Sequence, residues 1–422
     1  MLLKFEVSNF RSFNKLQEFS MFAGDSRNNP DHITKINNMH VLKNAVFYGA
    51  NAGGKTSLIS AMSISQEIIL FGTRYPNEYR EMYCRTDSKN KGVPSHFEYM
   101  FEYMGACYFY GFDIILSECK VVGEWLLTYD PIRDKEELIF NRAPSFELGT
   151  RFTDEESSRL RIYIDDLSEA HDLLFLTEMS KKNIKGDSNL FVFKEVFSWF
   201  ENNLRINMLS TTGKSEYFNS GRLMDALGTD VTGFELVDLD DKESRNYDRI
   251  LRDVENMLNR SESKELVLPG AYFRKEGNDI VIQEVCTLHG SSDSHFHFEE
   301  ESSGTFEALK LLPILFMKGS DMTLIFDEYG SKMHTLMAYR FIQLFQKENE
   351  GLNNQLLVAT HHTSLMSFDL FRRDEIWFVD KRCGESELYS LEEFDVRLDG
   401  KRLDKAYLEG RFGALPVFKD VS

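Results

Sequence analysis

The sequence predicts an α/β fold in which a mainly parallel sheet is joined by an antiparallel β-subdomain and an inserted helical lobe. Three observations predict it. Residues 44–58, NAVFYGANAGGKTSL, pass from a short apolar run through a glycine-rich turn into helical spacing. A second apolar run, Met322 to Phe326, ends in the paired carboxylates Asp327 and Glu328. Between them, residues 95–129 alternate apolar and polar side chains, with Phe97, Tyr99, Phe101 and Tyr103 on one face, as an antiparallel meander does.

The glycine turn satisfies the P-loop pattern, Gly, four residues, Gly-Lys-Thr, and it has the strand before and the helix after that the pattern needs. Glycine lets successive backbone N–H groups curl around a phosphate, and the helix that follows aims its positive end at the same anion. Gly49, Asn51, Gly53, Gly54, Lys55, Thr56 and Ser57 are the expected nucleotide cradle. Lys55 is expected to bridge the β- and γ-phosphates, and the Thr56 hydroxyl to ligate Mg²⁺.

Taken in order, residues 2–10 and 16–23 read as two paired strands around the corner Asn9-Phe10-Arg11-Ser12-Phe13, whose Arg11 can reach a bound nucleotide. The helix after the P-loop runs over about 55–71, followed by a polar stretch from Gly72 to Pro94. After the meander, extended by Glu137 to Phe146, residues 154–260 take on helical spacing with charged faces but no sustained heptad. Strands resume at Glu265 to Phe273, Asp279 to Thr287 and Ser294 to Glu299. Cys286, His289, His295 and His297 fall here; Cys-x2-His and His-x-His could bind zinc, although phenylalanine alternates with the second pair as on any half-exposed strand.

Glu300 to Thr305 form a serine-glycine turn opening a helix over Phe306 to Phe316, so Ser302 and Gly304 stand at a second anion-facing terminus or a simple cap. Asp327 and Glu328 end a buried strand where a P-loop fold supplies a magnesium ligand and a base for water. The run Gln355 to Ala359 delivers His361 to the same edge, and a closing hairpin spans Glu375 to Leu391. The expected division is 1–150, an N-terminal ATPase lobe with the β-subdomain; 151–262, the helical lobe; and 263–422, a C-terminal ATPase lobe.

Composition is that of a globular chain: 422 residues, 42% hydrophobic and 28% charged, long enough for more than one domain. Net charge of −19 disfavours a surface that coats nucleic acid through counterion release. Five scattered cysteines without a CxxC pair fit a reducing compartment, and no apolar run approaches the ~18 residues that span a bilayer. The sequence therefore reads as cytoplasmic, without a membrane partner.

The stretches NFRSF (9–13), YGANAGGKTSL (48–58), EESSGT (300–305), LIFDEYGSKMH (324–334), ATHHTSLM (359–366), RRDEIWFVDK (372–381) and YLEGRFGALP (407–416) resemble the P-loop ABC-ATPase-like heads of the SMC, RecF and OLD group. The nearer resemblance is to the stand-alone AAA-family ATP-binding proteins of bacterial abortive-infection loci, RloA- or AbiL-like and OLD-related. It implies ATP and Mg²⁺ as cofactors and a homodimer or higher homo-oligomer that sandwiches ATP. In that arrangement Lys55, Glu328 and His361 are catalytic, Asp327 joins Thr56 in the magnesium shell, Ser302 and Gly304 act in trans, and Arg11 touches the nucleotide. The resemblance further implies an anti-phage switch acting with a separate effector, a nuclease or other toxin. The alternative is a RecF/SMC-like repair or recombination ATPase that binds DNA.

Gly53 departs from the serine common at its position in relatives, and Tyr329-Gly330 departs from their usual acidic element. No Q-loop glutamine can be placed, since Gln66 lies inside the first helix. A GTPase is disfavoured because Asn-Lys-x-Asp is missing, and no TOPRIM nuclease domain is evident after Asp380.

Overall fold

The computed structural model describes residues 1–73, 79–143, 145–167, 172–207, 217–239, 247, 250–260, 264–290, 294–316, 321–395 and 402–416. Part of the polar stretch expected from Gly72 to Pro94, residues 74–78, lies outside them. In chain order the strands and helices begin with β1 (Leu2–Ser8), β2 (Gln17–Ser20), β3 (Ile33–Ile36), β4 (Met39–Leu42), β5 (Asn44–Tyr48) and α1 (Lys55–Phe71). The meander follows as β6 (Ser95–Tyr103), β7 (Ala106–Ile115), β8 (Lys120–Asp130), β9 (Lys135–Asn141) and β10 (Glu147–Leu148). Next come α2 (Asp154–Asp166), α3 (Phe175–Lys181), α4 (Val192–Ser198) and β11 (Leu204–Ile206). Then come α5 (Gly221–Ala226), β12 (Val231–Asp238), α6 (Leu251–Arg260), β13 (Glu265–Leu268), β14 (Ala271–Glu276), β15 (Asp279–His289), β16 (His295–Phe296) and α7 (Ser303–Leu311). The chain closes with β17 (Thr323–Phe326), α8 (Thr335–Glu348), β18 (Gln355–Ala359), β19 (Ile376–Arg382), β20 (Glu385–Ser390) and α9 (Leu403–Leu408).

Two compact units result: Met1–Ile206 with Asp321–Tyr329 and Asn353–Ser422, and Asn207–Ser320 with Gly330–Leu352. In the first, the parallel sheet runs β11-β17-β18-β5-β19, with β20 antiparallel at the edge. Every residue of β5, β17 and β18 is buried, which is why their sequences are continuous apolar runs rather than alternations. Register pairs Ala359 with Phe47 and Phe326 with Val358, so the segments after β5, β17 and β18 leave the sheet at one edge.

The second sheet of this unit is antiparallel, β10-β9-β8-β7-β6-β1-β2. Its alternating aromatics build the core around α1. Tyr99 donates to Met62 O at 3.0 Å and lies 2.7 Å from Ser65 Oγ, while Phe101 stacks on Trp199 at 4.1 Å. Gln355, buried at the start of β18, accepts from Leu2 N (2.7 Å) and donates to Leu2 O (2.9 Å), clamping β1 to the parallel sheet. The starts of β5 and β19 share a buried polar knot: Asn44 donates to Glu375 (3.0 Å), His32 Nδ1 meets Glu375 at 2.9 Å, and Arg372 forks onto Asp374 (2.9 and 2.6 Å).

In the second unit β12-β15-β14-β13 form an antiparallel sheet, with β16 also on β15. The expected helical stretch 154–260 is corrected on two counts. Residues Leu204–Ile206 and Val231–Asp238 are strands, and α2, α3 and α4 belong to the first unit, so the chain divides after Ile206 rather than at 151 and 262. Helices α3 and α4 bury Phe175 and Phe193 against Phe140 of the meander, so they cannot form a lobe of their own. The buried Glu124 carboxylate of β8 accepts from Phe175 N (2.6 Å) and Leu176 N (2.9 Å), tying the first turn of α3 to the sheet.

Candidate functional site

The loop between β5 and α1 is pressed from behind by β19 and β20. A Cβ on Gly49 would stand 2.4 Å from Val379 O, and one on Gly54, at φ 120°, 2.4 Å from Ser386 Oγ. A Cβ on Gly53 would meet Ala50 O and Val379 O at 2.9 Å, so glycine rather than serine at this position follows from the close backbone approach. Ser386 Oγ donates to Gly53 O (2.7 Å) and Ser386 N to Ser12 O (2.7 Å), while Ser12 Oγ is buried without a hydrogen-bond partner among the described residues. Sequence reasoning missed Ser386 and Val379, because only the sheet order brings them to the loop.

Helix α1 begins here with no side chain capping its N-terminus and no acidic residue in its first turn. Seventeen residues of aligned peptide dipoles therefore face the loop uncompensated by a cap. Lys55 is buried and donates to Gly49 O (2.7 Å) and Ala50 O (3.2 Å). Burial lowers its pKa to about 8 against the raising effect of Asp327 and Glu328. A buried cation resting on carbonyls, glycines with no room for Cβ and an uncapped helix suit a polyphosphate. Asn51 and Thr56 are exposed at this edge and Ser57 is half-buried.

At the end of β17, Glu328 adopts φ 52°, a left-handed conformation unusual for a non-glycine residue and typical of strained sites. Its N–H donates to Asp327 Oδ1 at 3.0 Å. The following Tyr329 is pinned to β18, its N–H donating to Ala359 O (2.8 Å) and its carbonyl accepting from Thr360 Oγ1 (2.9 Å). His361 is exposed just past β18. Burial of the ring and the Lys55 cation lower its pKa, with Glu328, Asp327 and His362 as smaller influences, so it is neutral at pH 7. Lys55, Asp327, Glu328 and His361 thus feel one another's charge at one sheet edge. The two carboxylates are oxygen donors of the type Mg²⁺ prefers.

The remaining expected residues lie on other elements. Arg11, at φ 48°, donates to Ser60 Oγ on α1 at 3.0 Å. Gln66, inside α1, donates to Phe200 O (2.7 Å) and Leu204 O (2.8 Å). Ser302 and Gly304 lie in the second unit. Ser302 caps α7 by accepting from Thr305 N (3.1 Å), and a Cβ on Gly304 would stand 3.2 Å from Lys332 O. Among the described residues no helix is long and apolar enough to cross a membrane.

No curated protein matches the chain. Solved structures similar to it include an SMC head bound to the C-winged helix domain of ScpA, at 14% identity and TM-score 0.41, covering 92% of this chain and 97% of that one. Another is the SMC head domain from Thermotoga maritima (13%, TM-score 0.39, 92% and 98% covered). A third is a Pyrococcus furiosus Smc head with an extended coiled coil bound to the C-terminal domain of ScpA (12%, TM-score 0.36, 97% and 99%). A family model matches residues 45–367, from the P-loop strand to just beyond His361, and the chain belongs to that family, described as "AAA domain, putative AbiEii toxin, Type IV TA system".

Proposed function

We propose that the protein is a Mg²⁺-dependent, ATP-hydrolysing switch of a bacterial abortive-infection system, RloA- or AbiL-like and OLD-related. It acts as a homodimer or higher homo-oligomer with a separate effector. The observation that supports it most is the meeting of Lys55, Asp327, Glu328 and His361 at one sheet edge beside an uncapped helix. Lys55 and the N–H groups opening α1 hold the phosphates, with Gly49, Gly53 and Gly54 allowing the backbone its close approach. Thr56 and Asp327 would hold Mg²⁺, which neutralises phosphate charge when bound. Glu328 orients the attacking water and accepts its proton. Neutral His361 is suited to a hydrogen bond at the terminal phosphate.

Ser302 and Gly304 are read as the signature that one copy lends to its partner. The exposed position of Ser302 at the start of α7 agrees with this reading. The test is Ser302→Arg, with ATP affinity and turnover measured separately. Turnover falling much further than affinity supports the shared site; equal loss of both removes it. Capture of the intact complex with mass spectrometry identifies the effector.

A further inference from the structure

Three side chains of metal-binding type converge on the antiparallel sheet of the second unit. Strand alternation puts Glu284 and Cys286 on one side of β15. His297, just past β16, brings Nδ1 to 2.7 Å from Glu284 Oε1 and 3.9 Å from Cys286 Sγ, and the candidate donor atoms all lie within 4.8 Å of one another. Register adds Glu235, opposite Cys286 on β12, with Oε2 3.7 Å from His295 Nδ1. His289 does not join them. It alternates to the other side of β15, with Nε2 2.7 Å from Glu301 and Nδ1 3.3 Å from Asp230. The spacing in the sequence grouped His289 with Cys286 and His297, whereas the fold sets His289 apart and brings Glu284 to that pair.

We infer that Glu284, Cys286 and His297 form a binding site for a divalent transition cation of the zinc class, with a fourth position open to water or Glu235. A tetrahedral ion with bonds of about 2.0–2.3 Å holds nitrogen and sulfur donors roughly 3.5 Å apart, so the present 3.9 Å needs only a small contraction. The ion takes over the His297 and Glu284 atoms now hydrogen-bonded to each other. A thiol beside an imidazole selects a borderline-soft ion over Mg²⁺ or Ca²⁺.

The three donors differ in exposure: Cys286 is buried, Glu284 half-buried and His297 exposed, so an ion can reach the site from solvent. On binding, the S–H bond breaks, a sulfur–metal bond forms and the proton passes to solvent, with no change in oxidation state. The ion would pin the segment that runs from β16 through Glu301, itself held by Thr287 and His289, to the Ser302 turn.

The experiment titrates the full chain, stripped with a chelator and desalted, with Co²⁺ and then Zn²⁺ under reducing conditions. Expected are tetrahedral d–d bands and a thiolate-to-cobalt charge-transfer band that saturates at one Co²⁺ per chain and disappears as Zn²⁺ displaces it. Cys286→Ser abolishes the charge-transfer band, and Cys383→Ser, at an exposed cysteine, retains it. Because Cys286 is buried and its variant can misfold, His297→Ala at the exposed ligand provides the second reading, with affinity reduced at least about tenfold. The inference is overturned by the lack of a thiolate band, by a band that survives in Cys286→Ser, or by unchanged affinity in His297→Ala.

Discussion

Lys55 gives the candidate site a pH dependence that its burial defines. Without nucleotide its pKa stands at about 8, against an ordinary 10.5, because burial disfavours the charged amine. A polyphosphate in the loop favours the ammonium and returns the pKa toward 10.5. The sign follows: binding requires the cation, so affinity is full below about pH 8, falls as pH rises through that value and levels off near 10.5. Between pH 7 and 9 the dissociation constant of a non-hydrolysable ATP analogue should rise about tenfold, since each unit above the lower pKa is one decade. Burial and the Lys55 cation lower the His361 pKa in the free site, and a bound phosphate raises it as it raises that of Lys55, so loss of the slope in Lys55→Arg is what assigns it to the lysine. Calorimetry in buffers of different ionisation enthalpy reads the proton taken up, which should be about half a proton per site at pH 8. Lys55→Arg keeps its charge throughout and should give a flat profile. A flat wild-type profile, or the same slope in Lys55→Arg, refutes the reasoning.

Two further outcomes follow from the scaffold. Arg372→Ala leaves the buried Asp374 carboxylate without its guanidinium fork, and should destabilise the protein by about 3–5 kcal/mol in urea unfolding, whereas Arg402→Ala, in the exposed pair with Asp404, should stay within about 1 kcal/mol of the parent. Gly49→Ala drives a methyl to 2.4 Å from Val379 O and should weaken ATP binding by at least about tenfold, while Gly92→Ala, where a Cβ meets nothing within 4 Å, should leave it unchanged.

Much of this was legible in the sequence because local signals agreed. The P-loop strand, α1 and the meander were expected where they occur, since fully apolar runs, glycine punctuation and strict alternation are unambiguous for buried strands and half-buried sheets. The missed elements lack such agreement. β12 carries an irregularity between Val231 and Gly233 that breaks its alternation, so its charged residues mimicked a helical face. β11 has only three residues and is a strand because β17 offers it an edge. Pro313 ends regular α-helix near Leu311, shortening the helix expected to run to Phe316. Pro269-Gly270, with Gly270 at φ 80°, splits the strand expected over 265–273 into β13 and β14.

At the site itself, residue types at strand ends were readable, but tertiary pressure on the loop was not. Nothing local to NAGGK announces that Val379 O and Ser386 Oγ stand against its glycines. Likewise, Arg11 was expected beside the nucleotide, and its hydrogen bond to Ser60 depends on how the N-terminal corner folds over α1.

The most direct test of the ATPase reading is the nucleotide left on Glu328→Gln after incubation with Mg²⁺-ATP and rapid gel filtration. The account predicts retained, unhydrolysed ATP on a protein of larger hydrodynamic size, with none retained by Lys55→Ala. Wild-type turnover in Glu328→Gln, with only ADP recovered, would contradict it.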